Sequence, residues 1–331
     1  MGVEVIRLPV VALLVLLCAA PTHAEERFAL VVTGAAGGDQ FTATFRTWEQ
    51  QAASALKQLG FADDHVSLLS GVSGDPGRSS TREHVSNAIQ SIKTRAGRDD
   101  VVLVLLLGHG TVDAISAKFN LVGPDLSSGE WAELLRDMPG RLVVVNTTGA
   151  SFPFLGELST RGRIVITATN STAQRYDTVF PDRFLAAMTD VAADLDKNGR
   201  VSVWELFAYT SRTVARHYEQ QGLLATEHPL LDDTGDGNGS EAPGSSHAPE
   251  PDAPPLTDGA LARATYLEHD PIEATADPGL AALLAQRRTL EERAEALKQR
   301  KPTMAPEVWD REFEALMIEL ARVSRRIRAG S

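Results

Sequence analysis

The chain has 331 residues, 43% of them hydrophobic and 6% aromatic, and a formal net charge of −12. That length holds one sizeable domain with appendages or two domains, and the composition permits an ordinary apolar core. The acidic balance argues against a nucleic-acid-binding surface and suits a soluble protein or one that attracts cations.

Taken in chain order, the first element reads as a leader, with a retained anchor as the alternative. Arg7 precedes the apolar run VVALLVLLCAA, which is followed by PTHA and two glutamates. A charged start, an apolar segment and small residues before a cut read as a secretory signal over 1–24, cleaved after Ala24, with Thr22 and Ala24 as the small pair. The run is short for a membrane span, so no stable span is expected after its removal, and the mature protein is expected to be secreted or periplasmic. Cys18, the only cysteine, lies inside this segment. The processed chain then has no disulfide, no thiolate metal site and no cysteine nucleophile.

Phe28–Thr33 reads as a strand and is followed by GAAGG. Phe45, Trp48, Ala52, Ala55, Leu56 and Leu59 recur at helical spacing between Thr44 and Leu59. Val66–Leu69 is a second strand, and GVSGDPGRSS a loop. Thr81 caps a helix whose stripe is Val85, Ala88, Ile89 and Ile92. Val101–Leu107, Leu142–Val145 and Ile164–Ala168 are continuous apolar runs, and Phe180–Asp190 and Val203–Gln221 read as helices. Strands buried on both faces and alternating with helices predict a three-layer α/β/α sandwich with a mainly parallel sheet, covering 25–231. A Gly/Pro/Asp-rich stretch over 232–258 reads as a linker. Residues 259–331 read as a helical hairpin or coiled-coil arm, its leucines near helical spacing on either side of KPTMAP. An amphipathic arm of this kind packs on itself, on a protein partner or on a second copy of the chain.

The sharpest local pattern is DLDKNGRVSVWE at 194–205. It satisfies D-x-[DN]-x-[DN]-G-x5-E, the EF-hand calcium loop. Asp194, Asp196 and Asn198 stand at positions one, three and five, and Gly199 supplies the turn at six. The Arg200 backbone carbonyl ligates at seven, Ser202 stands at nine, and Glu205 closes at twelve with a bidentate carboxylate. Hard oxygen ligands at these offsets, between two helical patterns, predict one bound Ca2+. A lone loop outside the cytosol serves structure more often than signalling. A second acidic run, Asp232, Asp233 and Asp236, lacks a closing glutamate; it is either a supplementary ion site or, as the turn residues around it favour, a solvated loop. Asn146, Asn170 and Asn238 fall in N-x-[ST] patterns and read as coincidences.

In open α/β sheets chemistry sits just past the carboxyl ends of the strands. Gly108-His109-Gly110 ends one apolar run and the small loop Asn146–Ser151 follows the next, so neighbouring parallel strands would bring them together. The order strand–GHG, strand–small loop, then RIVITAT resembles the caspase-like cysteine peptidases, especially bacterial relatives of the legumain branch. The stretch ADLDKNGRVSVWELFAYT and the later TEHPLLDDTGDG are similar to the ending of secreted bacterial members. The resemblance covers roughly residues 27–240 and implies that His109 matches the catalytic histidine, with a cysteine expected in a segment like D-x-C-x-S-G. Here the sequence departs: laying ASFPF over the family's x-S-G-G-F puts Gly149 at the cysteine position. The resemblance therefore implies a catalytically silent member with a vestigial His109, acting as a calcium-stabilised binding or scaffold module. The alternative is a peptidase or hydrolase in which Ser151, Thr147 or Thr148 attacks with His109 as base and Asp113 as its orienting group; no G-x-S-x-G elbow is present.

Overall fold

A computed structural model describes residues 25–113, 116–174, 177–242, 258–269, 275, 277–301 and 304–330. The expected signal with Cys18, and 243–257 of the expected linker, lie outside the described residues. The strands are β1 (Arg27–Thr33), β2 (Val66–Ser70), β3 (Val101–Leu107), β4 (Gly110–Val112), β5 (Ala117–Phe119), β6 (Leu126–Ser127), β7 (Arg141–Asn146), β8 (Arg163–Thr167) and β9 (Leu230–Asp232). Six of them form one sheet in the order β2-β1-β3-β7-β8-β9, parallel throughout except for β9, which runs antiparallel to β8. The register sets Phe28 beside Val102 and Val102 beside Leu142, which aligns the carboxyl ends of β1, β3 and β7. The other three strands make a small antiparallel sheet, β4-β5-β6.

The helices of the sandwich are α1 (Asp39–Gln58), α2 (Arg82–Arg95), α3 (Ser128–Leu134), α4 (Phe152–Leu158), α5 (Phe180–Ala187) and α6 (Val203–Gln221). Strand side chains alternate between the two faces. Val101, Leu103, Leu105 and Leu107 of β3 enter one core with Phe45 and Trp48 of α1, Phe184 of α5 and Phe207 of α6. Val102, Val104 and Leu106 enter the other with Val85 and Ile89 of α2, Trp131 of α3 and Phe154 of α4. All seven residues of β3 are buried, which is why its apolar run shows no alternation. The three-layer α/β/α arrangement expected from the sequence is the one observed. Thr81 accepts a hydrogen bond from His84 N and so caps α2 as its position predicts.

The domain boundary differs from the expectation. Residues 232–242 are not a linker: β9 completes the sheet, and Leu231 and Ser240 exchange backbone hydrogen bonds. After the undescribed stretch the chain returns to the same domain. Helix α7 (Ala260–Arg263) packs on α6, and Ala262 and Leu267 are buried in the first core. The α/β domain therefore extends through residue 269. Two long helices follow, α8 (Pro278–Arg300) and α9 (Pro306–Gly330), packed on each other through Leu290, Ala294, Leu297, Leu316 and Val323. No described helix is long and apolar enough to cross a membrane.

Candidate functional site

Two local structures carry the sequence-predicted residues: a cleft at the strand ends and the acidic loop before α6. At the cleft the chain leaves β3 through Gly108, whose φ of 136° is a conformation that residues with a side chain rarely adopt. Gly110 is required for a different reason. A Cβ there would lie 2.8 Å from both Ala150 Cβ and Thr148 Oγ1, so only glycine lets the loop after β7 close against the segment after β3. This close approach brings His109 and the Asn146–Ser151 loop to one place, as the parallel register predicts.

The cleft has a volume of about 700 Å³. His109 and Gly149 are both on its wall, with Phe41, Phe45 and Trp48 from α1 and the carboxylates Asp125, Asp177 and Asp182. Phe41 meets the His109 ring edge-on at a centroid distance of 4.4 Å, and Phe45 lies 5.1 Å away. His109 Nδ1 is 3.3 Å from Asp177 Oδ1, while its buried Nε2 has no hydrogen-bond partner. An ionised carboxylate only accepts, so this contact favours a proton on Nδ1 and a lone pair on Nε2. The orienting group is thus Asp177 and not Asp113, which pairs with Lys118 Nζ at 3.2 Å.

The loop hydroxyls are otherwise engaged. Ser151 is fully buried; its Oγ accepts from Ala168 N at 3.0 Å and Thr169 N at 3.2 Å and shares a 3.0 Å hydrogen bond with Thr169 Oγ1. It staples the β7 loop to the end of β8. Thr147 Oγ1 donates to Leu106 O at 2.8 Å. Thr148 is 1% exposed, and its Oγ1 has no partner. Asn146 is buried at a strand end and orders the loop through its Oδ1, which accepts from Thr148 N.

The acidic loop has the curled backbone its sequence predicts. Gly199 takes φ 86° and Lys197 φ 62°. Asp194 accepts from Asn198 N and Gly199 N, and Asp196 from Asn198 N. Positions nine and twelve of the calcium pattern coincide with a capping box on α6. Ser202 is the N-cap, its Oγ accepts from Glu205 N, and Glu205 Oε2 accepts from Ser202 N and Oγ. Glu205 Oε1 accepts from Leu195 N and Asp196 N, so one buried carboxylate closes the loop on itself. Carboxylate oxygens of Asp194, Asp196 and Glu205 lie within 4.8 Å of one another. Calcium–oxygen bonds of about 2.3–2.6 Å span a similar diameter, so the donor set fits that ion. Partial burial, together with the charges of Glu205 and Asp194, pushes the Asp196 carboxyl up to about 6, as expected for crowded carboxylates.

Segments beyond the expected domain hold this loop. Val203 N donates to Thr265 O, and Val201 N to Glu268 Oε1. The Arg200 side chain lies over Tyr266, 3.7 Å from the ring centroid, with its Nε 3.7 Å from Glu268 Oε1. From α8, the Arg287 guanidinium rests by Gly199, 3.5 Å from where a Cβ would stand, and pairs with Glu291 at 3.4 Å. Burial, with Asp196 and Asp194 adding to it, pushes Glu291 up to about 7 against the pull of Arg287. The arm therefore packs both on itself and over the acidic loop.

The second acidic run is structural rather than solvated. Asp232 is buried and accepts from Thr234, Gly235 and Gly237; buried Asp233 accepts from Gly259 N and Ala262 N at the start of α7. Asp236 accepts from Asn238 N. Among the described residues these three do not gather as metal ligands.

Sequence reasoning missed Asp125, Asp177, Asp182 and the aromatic wall as parts of the cleft. Their one signal is position: Asp177 and Asp182 follow the last parallel strand, where site loops belong. No family model matches the chain and no curated protein matches it. Among solved structures it is similar to protein GSU0716 from Geobacter sulfurreducens, with a TM-score of 0.42 and 14% identity over 62% of this chain and 92% of that one. It is also similar to caspase-1 from Spodoptera frugiperda, with a TM-score of 0.42 and 13% identity over 70% of this chain and 94% of that one.

Proposed function

We propose that this is an exported, calcium-binding protein whose caspase-like α/β domain acts as a binding or scaffold module without peptidase activity. The observation that carries the reading is the chemistry at the cleft. A histidine held beside Asp177 leaves Nε2 without a partner, and the loop facing it offers Gly149, which has nothing to attack with. Nucleophilic catalysis needs a nucleophile within hydrogen-bond reach of its base. Ser151 and Thr147 are committed to internal hydrogen bonds, and Thr148 is shielded from solvent. The calcium part rests on the fit of the Asp194, Asp196 and Glu205 oxygens to one ion, with Asn198, Ser202 and the Arg200 carbonyl completing the pattern. Calcium there would tie α6 to the segment before it; its role is structural.

The test is a fluorophosphonate labelling experiment beside a peptide-library digest, both with calcium present. Absence of labelling and of cleavage is the expected result. Labelling or cleavage that disappears in His109→Ala would establish the hydrolase reading instead. The calcium part is tested separately by thermal melts: a melting temperature unchanged between millimolar calcium and chelator would remove it.

A further inference from the structure

The cleft has a charge and shape that the loss of a nucleophile does not explain. Asp125, Asp177 and Asp182 stand on its wall, and no lysine or arginine is among its described lining residues. Each carboxylate is anchored by one oxygen: Asp125 Oδ1 accepts from Leu121 N, Asp182 Oδ1 from Trp48 Nε1 at 2.7 Å, and Asp177 Oδ1 stands by His109. Their Oδ2 atoms have no partner among the described residues. Beside them Phe45 and Trp48 stack at a centroid distance of 5.0 Å. Aromatic faces with fixed carboxylates attract a cation through both ring quadrupole and charge, and repel an anion. On the cleft wall His109 Nε2 also lacks a hydrogen-bond partner.

The rim indicates what carries the cation. Gly110, Thr111 and Val112 line the cleft, and they are β4, the outer strand of the small sheet. An outer strand beside a pocket suits an extended peptide, whose main chain pairs with the edge while a side chain enters the pocket.

We propose that the strand-end cleft binds an extended peptide by receiving an arginine or lysine side chain against Asp125, Asp177, Asp182 and the α1 aromatic wall. This rests on the binding-module reading and specifies its ligand. Isothermal titration calorimetry of the full mature chain, in calcium, with acetyl-Ala-Ala-Arg-amide and its norleucine and glutamate counterparts tests it. The arginyl peptide should bind about tenfold or more tightly than either counterpart, and Asp177→Asn/Asp182→Asn should remove that preference. If the double variant loses its native circular dichroism, Asp177→Asn alone, at a mostly exposed carboxylate, is the informative protein and should weaken binding several-fold. Butylguanidinium should bind more weakly than the arginyl peptide; equal affinity would overturn the peptide part. Equal binding of the norleucine peptide, preference for glutamate, or no binding of any peptide to folded protein would overturn the proposal. Cleavage of the arginyl peptide would support the cationic subsite while refuting the non-catalytic reading, so the two fail separately.

Discussion

Replacing Ser151 with alanine separates a structural hydroxyl from a catalytic one. The Ser151 Oγ is the acceptor for two backbone N–H groups, Ala168 at 3.0 Å and Thr169 at 3.2 Å, at a site without solvent access. Alanine fills the same volume without offering an acceptor. A buried donor left unsatisfied costs about 1–3 kcal/mol, so with two such donors the variant should lose about 2–6 kcal/mol. With a urea slope of about 2–3 kcal/mol/M for a domain of this size, the midpoint should fall by about 0.7–3 M with the slope unchanged. The assay is urea denaturation followed by circular dichroism in calcium. Thr148→Ala is the control: its hydroxyl has no partner, so its midpoint should move much less. A Ser151→Ala midpoint within about 0.2 M of the parent, about 0.5 kcal/mol, would refute the assignment of Ser151 to the fold.

Other outcomes follow from the same geometry. Gly149→Cys should react readily with Ellman's reagent because residue 149 lines the cleft, whereas Ser151→Cys should not react until the protein unfolds. In chelator, stability should fall as pH rises from about 4 to 7. The folded-state carboxyls of Asp196 and Glu291 lie above their ordinary values, at about 6 and about 7, so the folded form holds more protons across that window. Saturating calcium should remove the Asp196 share of this slope, as read from thermal melts at each pH. Glu205→Gln should abolish the calcium-induced rise in melting temperature, and it should also lower the melting temperature in chelator because the same carboxylate accepts four hydrogen bonds. Arg287→Ala should raise calcium affinity several-fold, by calorimetric titration, since it removes a cation beside the loop and leaves Glu291 without that neighbour.

The parts of the fold that the sequence makes plain are those whose signal is local and long. Val101–Leu107 is a strand because seven apolar residues in a row suit nothing else between two loops, and α6 begins at Val203 because Ser202 and Glu205 form its capping box. What stays hidden is short or distant. β4, β5 and β6 have three residues or fewer, too few for periodicity to register. The stretch after Asp232 has the composition of a linker, yet Asp232 and Asp233 turn their carboxylates onto backbone N–H groups and order it. Turn residues read alike whether their side chains face water or their own backbone. At the site, the order of GHG and the β7 loop puts His109 and Gly149 on the wall of one cleft. The replacement of Asp113 by Asp177 as the histidine's companion is not legible, because Asp177 comes from a loop that only the folded sheet brings across. The contact of Arg287 with the acidic loop is hidden for the same reason.

The most direct test of the central claim is to incubate the protein, prepared as residues 25–331, in calcium, with an arginine- and lysine-rich peptide library and to weigh every peptide by mass spectrometry before and after affinity recovery. The expected result is retention of basic peptides at their original masses. Fragments that accumulate with time, and that no longer form in His109→Ala, would contradict it.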